Sequence, residues 1–137
     1  MKISVEQKDK LFDAACKARQ MAYILPGATY RGGAAVLTKD GTIFSGCNIE
    51  NDAHTPTICA ERLALFKAYS EGYRDIVAIM YVSEECGVAC GVCRQVISQL
   101  APNAILICMN LNQTKEIVTT IDELLPYRWS NPTLIKA

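Results

Sequence analysis

Cys59-Ala60-Glu61-Arg62 and Cys90-Gly91-Val92-Cys93-Arg94 decide how this chain is read. Each stretch reads as the first turn of a helix, and together they offer three thiols and one carboxylate. Cys90 and Cys93 stand three apart, so on a helix they face the same way and can bind one metal ion together. Cys59 then supplies a third ligand from the earlier helix. Three cysteines leave one tetrahedral position to water, the pattern of catalytic zinc sites rather than closed structural ones. Glu61 lies two residues from Cys59, on a different helix face. That placement is poor for chelating the same ion and good for moving a proton at the bound water. Arg62 and Arg94 directly follow the cysteines. They are expected to offset the charge of three thiolates by donating to sulfur, alongside the helix dipoles. Two other readings stay open at this point: Cys86 would complete a closed four-cysteine site, or the thiols are ordinary buried side chains.

Working outward, the elements alternate. Ser4-Val5-Glu6-Gln7 is a capping-box pattern, and apolar residues recur at helical spacing from Val5 to about Tyr23. Strands are predicted at 34–38 and 43–47, joined by the hairpin turn Asp40-Gly41. A polar loop, 48–54, follows. Thr55-Pro56-Thr57 is expected to cap a helix from Ile58 to Glu71, with Ile58, Leu65, Phe66 and Tyr69 facing inward. Continuous apolar runs at 76–82 and 104–109 read as buried strands. The Cys90 helix between them ends near Leu100. A short strand at 116–119 and a capped turn of helix from Thr120 complete the chain. The order α-β-β-α-β-α-β-β-α predicts an α/β fold of three α-β-α layers, with a mixed five-stranded sheet in the middle.

Composition narrows the function. The 137 residues make one domain with half its residues apolar. Lys+Arg and Asp+Glu are both 14, so formal net charge is zero. With no basic stripe, a nucleic acid polymer is a poor partner. No apolar run is long enough to span a membrane, and the N-terminus lacks the apolar core of a signal peptide. The expected location is cytoplasmic. There the seven cysteines are expected to be thiols, ligands or nucleophiles rather than disulfides. Cys16, Cys47 and Cys108 lie in apolar surroundings and read as small buried hydrophobes.

The joint pattern Gly46-Cys47-Asn48-Ile49-Glu50-Asn51, Ile58-Cys59-Ala60-Glu61-Arg62 and Ala89-Cys90-Gly91-Val92-Cys93-Arg94-Gln95-Val96 strongly resembles the small, homotetrameric, zinc-dependent cytidine deaminases. The resemblance implies hydrolytic deamination of cytidine or deoxycytidine, with one Zn²⁺ per chain on Cys59, Cys90 and Cys93 and with Glu61 as proton shuttle. By matching position it implies ribose contact by Asn48 and Glu50, a ring-oxygen contact from the Ala60 backbone N–H, and Tyr30 against the nucleoside. It places Trp129 in a neighbouring subunit's pocket, and it implies a homotetramer. The family's usual Phe-x-Val-Gly is here Tyr30-Arg31-Gly32-Gly33, and Gly32 is expected to leave space for a ring or amino substituent. Two alternatives accompany this reading: a deaminase of modified or antibiotic nucleosides, of the blasticidin S type, and a non-catalytic zinc-stabilised binding module.

Overall fold

In the computed structural model, residues 2–131 are described. The elements are α1 (Val5–Arg19), β1 (Gly33–Thr38), β2 (Ile43–Cys47), α2 (Ala60–Ser70), β3 (Ile76–Ser83), α3 (Gly91–Leu100), β4 (Ile105–Asn110), β5 (Glu116–Thr119) and α4 (Ile121–Leu124). The five strands form one mixed sheet in the order β2-β1-β3-β4-β5. Only β3 and β4, joined through α3, run parallel. The other three pairs are antiparallel.

Each face of the sheet carries its own core. Leu11 and Ala15 of α1 pack on Leu37, Met80, Val82 and Ile107. On the other face Ala64, Leu65 and Ala68 of α2 and Cys93 and Ile97 of α3 pack on Val36, Ile79, Tyr81 and Leu106. The alternation along β3 explains this division: Ile79 and Tyr81 point one way, Met80 and Val82 the other. β1 and β3 are buried along their whole length because both faces are covered. The expected three layers and mixed five-stranded sheet are present.

Four local expectations are corrected. The first helix stops at Arg19, not near Tyr23. Its end tightens into turns, with Met21 N–H donating to Ala18 and Ala22 N–H to Arg19. Tyr23 is then taken by the loop after β2, bridging Ile49. The second helix begins at Ala60, not Ile58, because Ile58 pairs with Ile49 in a second bridge. Thr57 does not cap that helix; its hydroxyl accepts from Asn51 N–H at 2.9 Å and closes the loop instead. Phe66 is exposed rather than inward-facing. The buried stripe of α2 is Ala60, Glu61, Ala64, Leu65 and Ala68, and its three alanines bring the helix close to the sheet.

Two glycines mark how close the layers come. A Cβ on Gly46 in β2 would lie 2.8 Å from the backbone nitrogen of Ala64. A Cβ on Gly33 in β1 would lie 1.9 Å from the carbonyl oxygen of Ala15 in α1. Neither backbone atom can rotate away. Gly33→Ala should therefore lower the unfolding free energy by at least about 2 kcal/mol in chemical denaturation. Gly87→Ala, whose added methyl meets nothing within 4 Å, should stay within about 0.5 kcal/mol of the parent. Equal stabilities for the two variants would contradict the contact between α1 and β1.

Candidate active site

Helices α2 and α3 both start on the same face of the sheet, and each has a cysteine as its N-cap. Cys59 (φ −79°, ψ 155°) and Cys90 (φ −67°, ψ 169°) both have the extended backbone usual for an N-cap residue. Cys93 sits in the first turn of α3, and its N–H donates to Cys90 Sγ at 3.5 Å. The Sγ atoms of Cys59, Cys90 and Cys93 all lie within 4.8 Å of one another, and those of Cys59 and Cys90 are 3.6 Å apart. Three sulfurs at tetrahedral zinc distances stand about 3.8 Å from one another. The donor set and its spacing therefore fit one zinc ion.

Cys86 is not part of this cluster. Its thiol is buried and donates to the carbonyl of Cys108 at 3.2 Å. The closed four-cysteine arrangement is therefore not what the fold builds. Cys47 and Cys108 are buried as expected, and Cys16 is half-buried.

The electrostatics of the cluster are uneven. The Cys93 thiol, then Arg62 and Cys90, hydrogen-bond Cys59 and pull its pKa down to about 5 against the effect of burial. Cys93 is pushed up, first by giving that bond to Cys59 and then by its own burial. Negative charge thus concentrates on Cys59, the sulfur that Arg62 Nη2 contacts at 3.6 Å. Arg94 does not share this task. Its guanidinium donates to the carbonyls of Ala89 (2.7 Å) and Leu124 (3.0 Å). It ties the turn before Cys90 to α4.

Glu61 occupies the second position of α2 and is 3% exposed. Burial, reinforced by the Cys59 charge, pushes its carboxyl up to about 7. It lies in the floor of an open cleft of about 220 Å³ that also exposes Cys59, Ala60 and Cys90. As the first residue of α2, Ala60 presents a backbone N–H that the helix itself does not use. A larger hollow of about 500 Å³, lined by Lys39, Asp40, Arg74 and Asp75, lies at the far end of the strands and holds none of these groups.

The outer part of the cleft is formed by Tyr30, Gly32 and Asn48. Asn48 is buried; its Oδ1 accepts from Gly32 N–H at 2.9 Å, and its Nδ2 donates to the Tyr30 carbonyl at 3.3 Å. Glu50 is half-buried, and its Oε1 accepts from Leu25 N–H at 2.7 Å. Both residues therefore brace neighbouring loops. By the donor and acceptor inventory of their side chains, one amide N–H and one carboxylate oxygen remain for a ligand. Tyr30 is 53% exposed at the rim. Trp129 is 72% exposed, and it does not line the cleft of its own chain.

Sequence reasoning missed two cleft residues, Tyr81 and Val88. The signal for Tyr81 was a phenol inside an otherwise aliphatic strand, Ile76–Ser83. The space expected beside Gly32 is not vacant. A Cβ there would meet Tyr81 Cε2 and its hydroxyl oxygen, each at 2.9 Å.

The family model described as the cytidine and deoxycytidylate deaminase zinc-binding region matches residues 5–109. A cytidine deaminase of Halalkalibacterium halodurans is 44% identical over 121 residues, 87% of this chain and 91% of that one. A blasticidin-S deaminase of Bacillus cereus is 34% identical over 139 residues, 93% of this chain and 96% of that one. Among solved structures, the cytidine deaminase from Burkholderia pseudomallei superposes with a TM-score of 0.83 at 38% identity, covering 93% of this chain and all of that one. The matched span carries α1 to β4 and all three clustered sulfurs, and on that ground the chain belongs to the cytidine and deoxycytidylate deaminase zinc-binding family.

Proposed function

We propose that this chain catalyses the zinc-dependent hydrolysis of cytidine and deoxycytidine to the uridine products and ammonia. The observation that carries this reading is the buried Glu61 carboxyl in the cleft floor, two residues from a cluster of three sulfurs spaced for zinc. Cys59, Cys90 and Cys93 would hold the zinc ion, which when bound would supply the Lewis acidity that makes water a nucleophile at neutral pH. Glu61 accepts a proton from the attacking water and passes it to N3 of the ring as oxygen adds at C4; it then takes the remaining proton of the new C4 hydroxyl and delivers it to the amine as the C4–N bond breaks, leaving the C4 carbonyl and ammonia. A carboxyl raised to about 7 can both take and give a proton near neutrality. Arg62 holds the charge on Cys59, and the α2 and α3 N-termini favour anions at both helix starts. The Ala60 N–H bonds the ring oxygen. The remaining polar atoms of Asn48 and Glu50 take the ribose 3′-hydroxyl, and Tyr30 lies against the nucleoside at the rim.

The tail after α4 supports a homo-oligomer, most simply a tetramer. Tyr127 and Trp129 are both exposed, and an indole left in water is costly in apolar area. Trp129 is assigned to the active site of a neighbouring subunit. No helix among the described residues is long and apolar enough to cross a membrane. With zero formal net charge and a free nucleoside as substrate, we place the enzyme in the cytoplasm.

Ammonia release from cytidine, deoxycytidine, free cytosine and blasticidin S tests the substrate. Cytidine and deoxycytidine should turn over, and free cytosine should fall at least about tenfold in kcat/KM, because unpaired site groups cost on the order of 1–3 kcal/mol. Turnover of blasticidin S alone would transfer the reading to the antibiotic nucleosides, and no turnover of any would leave a zinc-binding module.

Glu61→Gln should retain one zinc per chain through dialysis and lose at least about 10²-fold in kcat. Cys59→Ser, Cys90→Ser and Cys93→Ser should each lose zinc, whereas Cys86→Ser should keep it. Zinc loss from the Cys86 variant would reinstate the closed site. In sedimentation at assay concentration the active species should be larger than a monomer, and Trp129→Ala should raise KM. An active monomer would remove the neighbour's residue from the site.

A further inference from the structure

Tyr81 is a cleft residue that neither the motifs nor the proposed chemistry uses. It is 6% exposed, in the middle of the sheet, and its side chain shares the α2–α3 face with Ile79. It lines the cleft together with Glu61 at the reacting end and with Gly32 and Asn48 at the outer end. Behind the cleft it also shares an apolar hollow of about 10 Å³ with Glu61. The phenol therefore stands between the zinc end and the sugar end, alongside the place where a heterocycle has to lie.

Gly32 and Tyr81 are a matched pair. The phenol occupies the volume that any side chain at position 32 would need, with Cε2 and the hydroxyl oxygen at 2.9 Å and Cζ at 3.3 Å from a Cβ built there. The Gly32 backbone cannot retreat freely, since its N–H is bonded to Asn48 Oδ1 at 2.9 Å. The phenol cannot retreat either, because it is packed in the core formed by Ala34, Cys93 and Cys108. A wall fixed from both sides has one shape. It fills the room that a glycine at position 32 would otherwise open beside the base.

We propose that Tyr81, paired with Gly32, is a specificity-determining residue: its ring walls the base-binding part of the cleft and excludes cytosine nucleosides that carry a substituent on the ring or its amine. This rests on the cytidine deaminase reading above and adds which members of that substrate class are refused. The ring, not the hydroxyl, does the excluding.

The test uses the zinc-loaded full chain and has two readouts. The first is kcat/KM for cytidine against 5-methylcytidine and N4-methylcytidine. The parent should prefer cytidine, and Tyr81→Ala should shrink that preference at least about tenfold for one or both substituted nucleosides. Tyr81→Phe, which keeps the ring, should hold the ratio within about threefold. The second readout is thermal unfolding. Gly32→Val should lower the melting midpoint by roughly 5 °C or more through collision with the phenol, and adding Tyr81→Ala should recover most of that loss. No recovery in the double variant means that the two positions are not matched, and the proposal falls. Recovery with an unchanged substrate ratio in Tyr81→Ala overturns the specificity role. A ratio that collapses equally in Tyr81→Phe overturns it as well, in favour of a hydroxyl contact. A parent chain that turns over no cytidine defeats the enzymatic reading itself, and the proposal falls with it, while the melting cycle still reports whether the pair exists.

Discussion

The N-termini of α2 and α3 point into the same few ångströms of space, and the rest of the molecule depends on holding them there. Two helix starts bring together two sets of unsatisfied N–H groups and two partial positive charges, an arrangement that favours an anion between them. Sulfur supplies it. Both N-caps are cysteines, where Ser, Thr, Asp or Asn would ordinarily stand. Cys90 still behaves as a cap, accepting from Cys93 N–H, whereas Cys59 makes no side-chain cap bond. The start of α2 gives up an ordinary cap so that its sulfur can face the other two.

Negative groups are crowded at that point, and the fold answers with specific neighbours rather than with solvent. Arg62 reaches back one turn to Cys59 and to the Thr57 carbonyl. Glu61 is buried beside them, and burial keeps its carboxyl from ionising as readily as it would in water. A side chain poised in this way suits a proton carrier better than a permanent anion. The division between Arg62 and Arg94 follows from position. Arg62 is on the helix that offers a single sulfur, and Arg94 is within reach of two backbone carbonyls that fasten the Cys90 turn to α4.

Small residues make the convergence geometrically possible. Ala60, Ala64 and Ala68 let α2 lie close over the sheet, and Gly46 removes the last obstacle beneath it. On the opposite face Gly33 does the same for α1. Larger side chains at these positions would lift the helices from the sheet. The loop after β2 is held in turn by the bridges from Tyr23 and Ile58 to Ile49, whose neighbours are Asn48 at the outer end of the cleft and Glu50 on the Leu25 N–H.

The sequence by itself determined the class of fold, the order of its elements and the residues that meet as a cluster. Those features are written in local periodicity, in turn residues such as Asp40-Gly41, and in cysteine spacing, none of which requires knowledge of distant neighbours. Helix ends were read less well, because Tyr23 and Ile58 are withdrawn into pairing with Ile49, a contact between segments far apart in the chain. The tertiary structure alone decided which arginine attends the sulfurs, that Cys86 turns to Cys108 instead of joining them, and that Tyr81 fills the volume beside Gly32. Each of these is a competition among partners brought together by the sheet, and the nearest well-placed partner wins. A linear sequence gives the competitors without their distances.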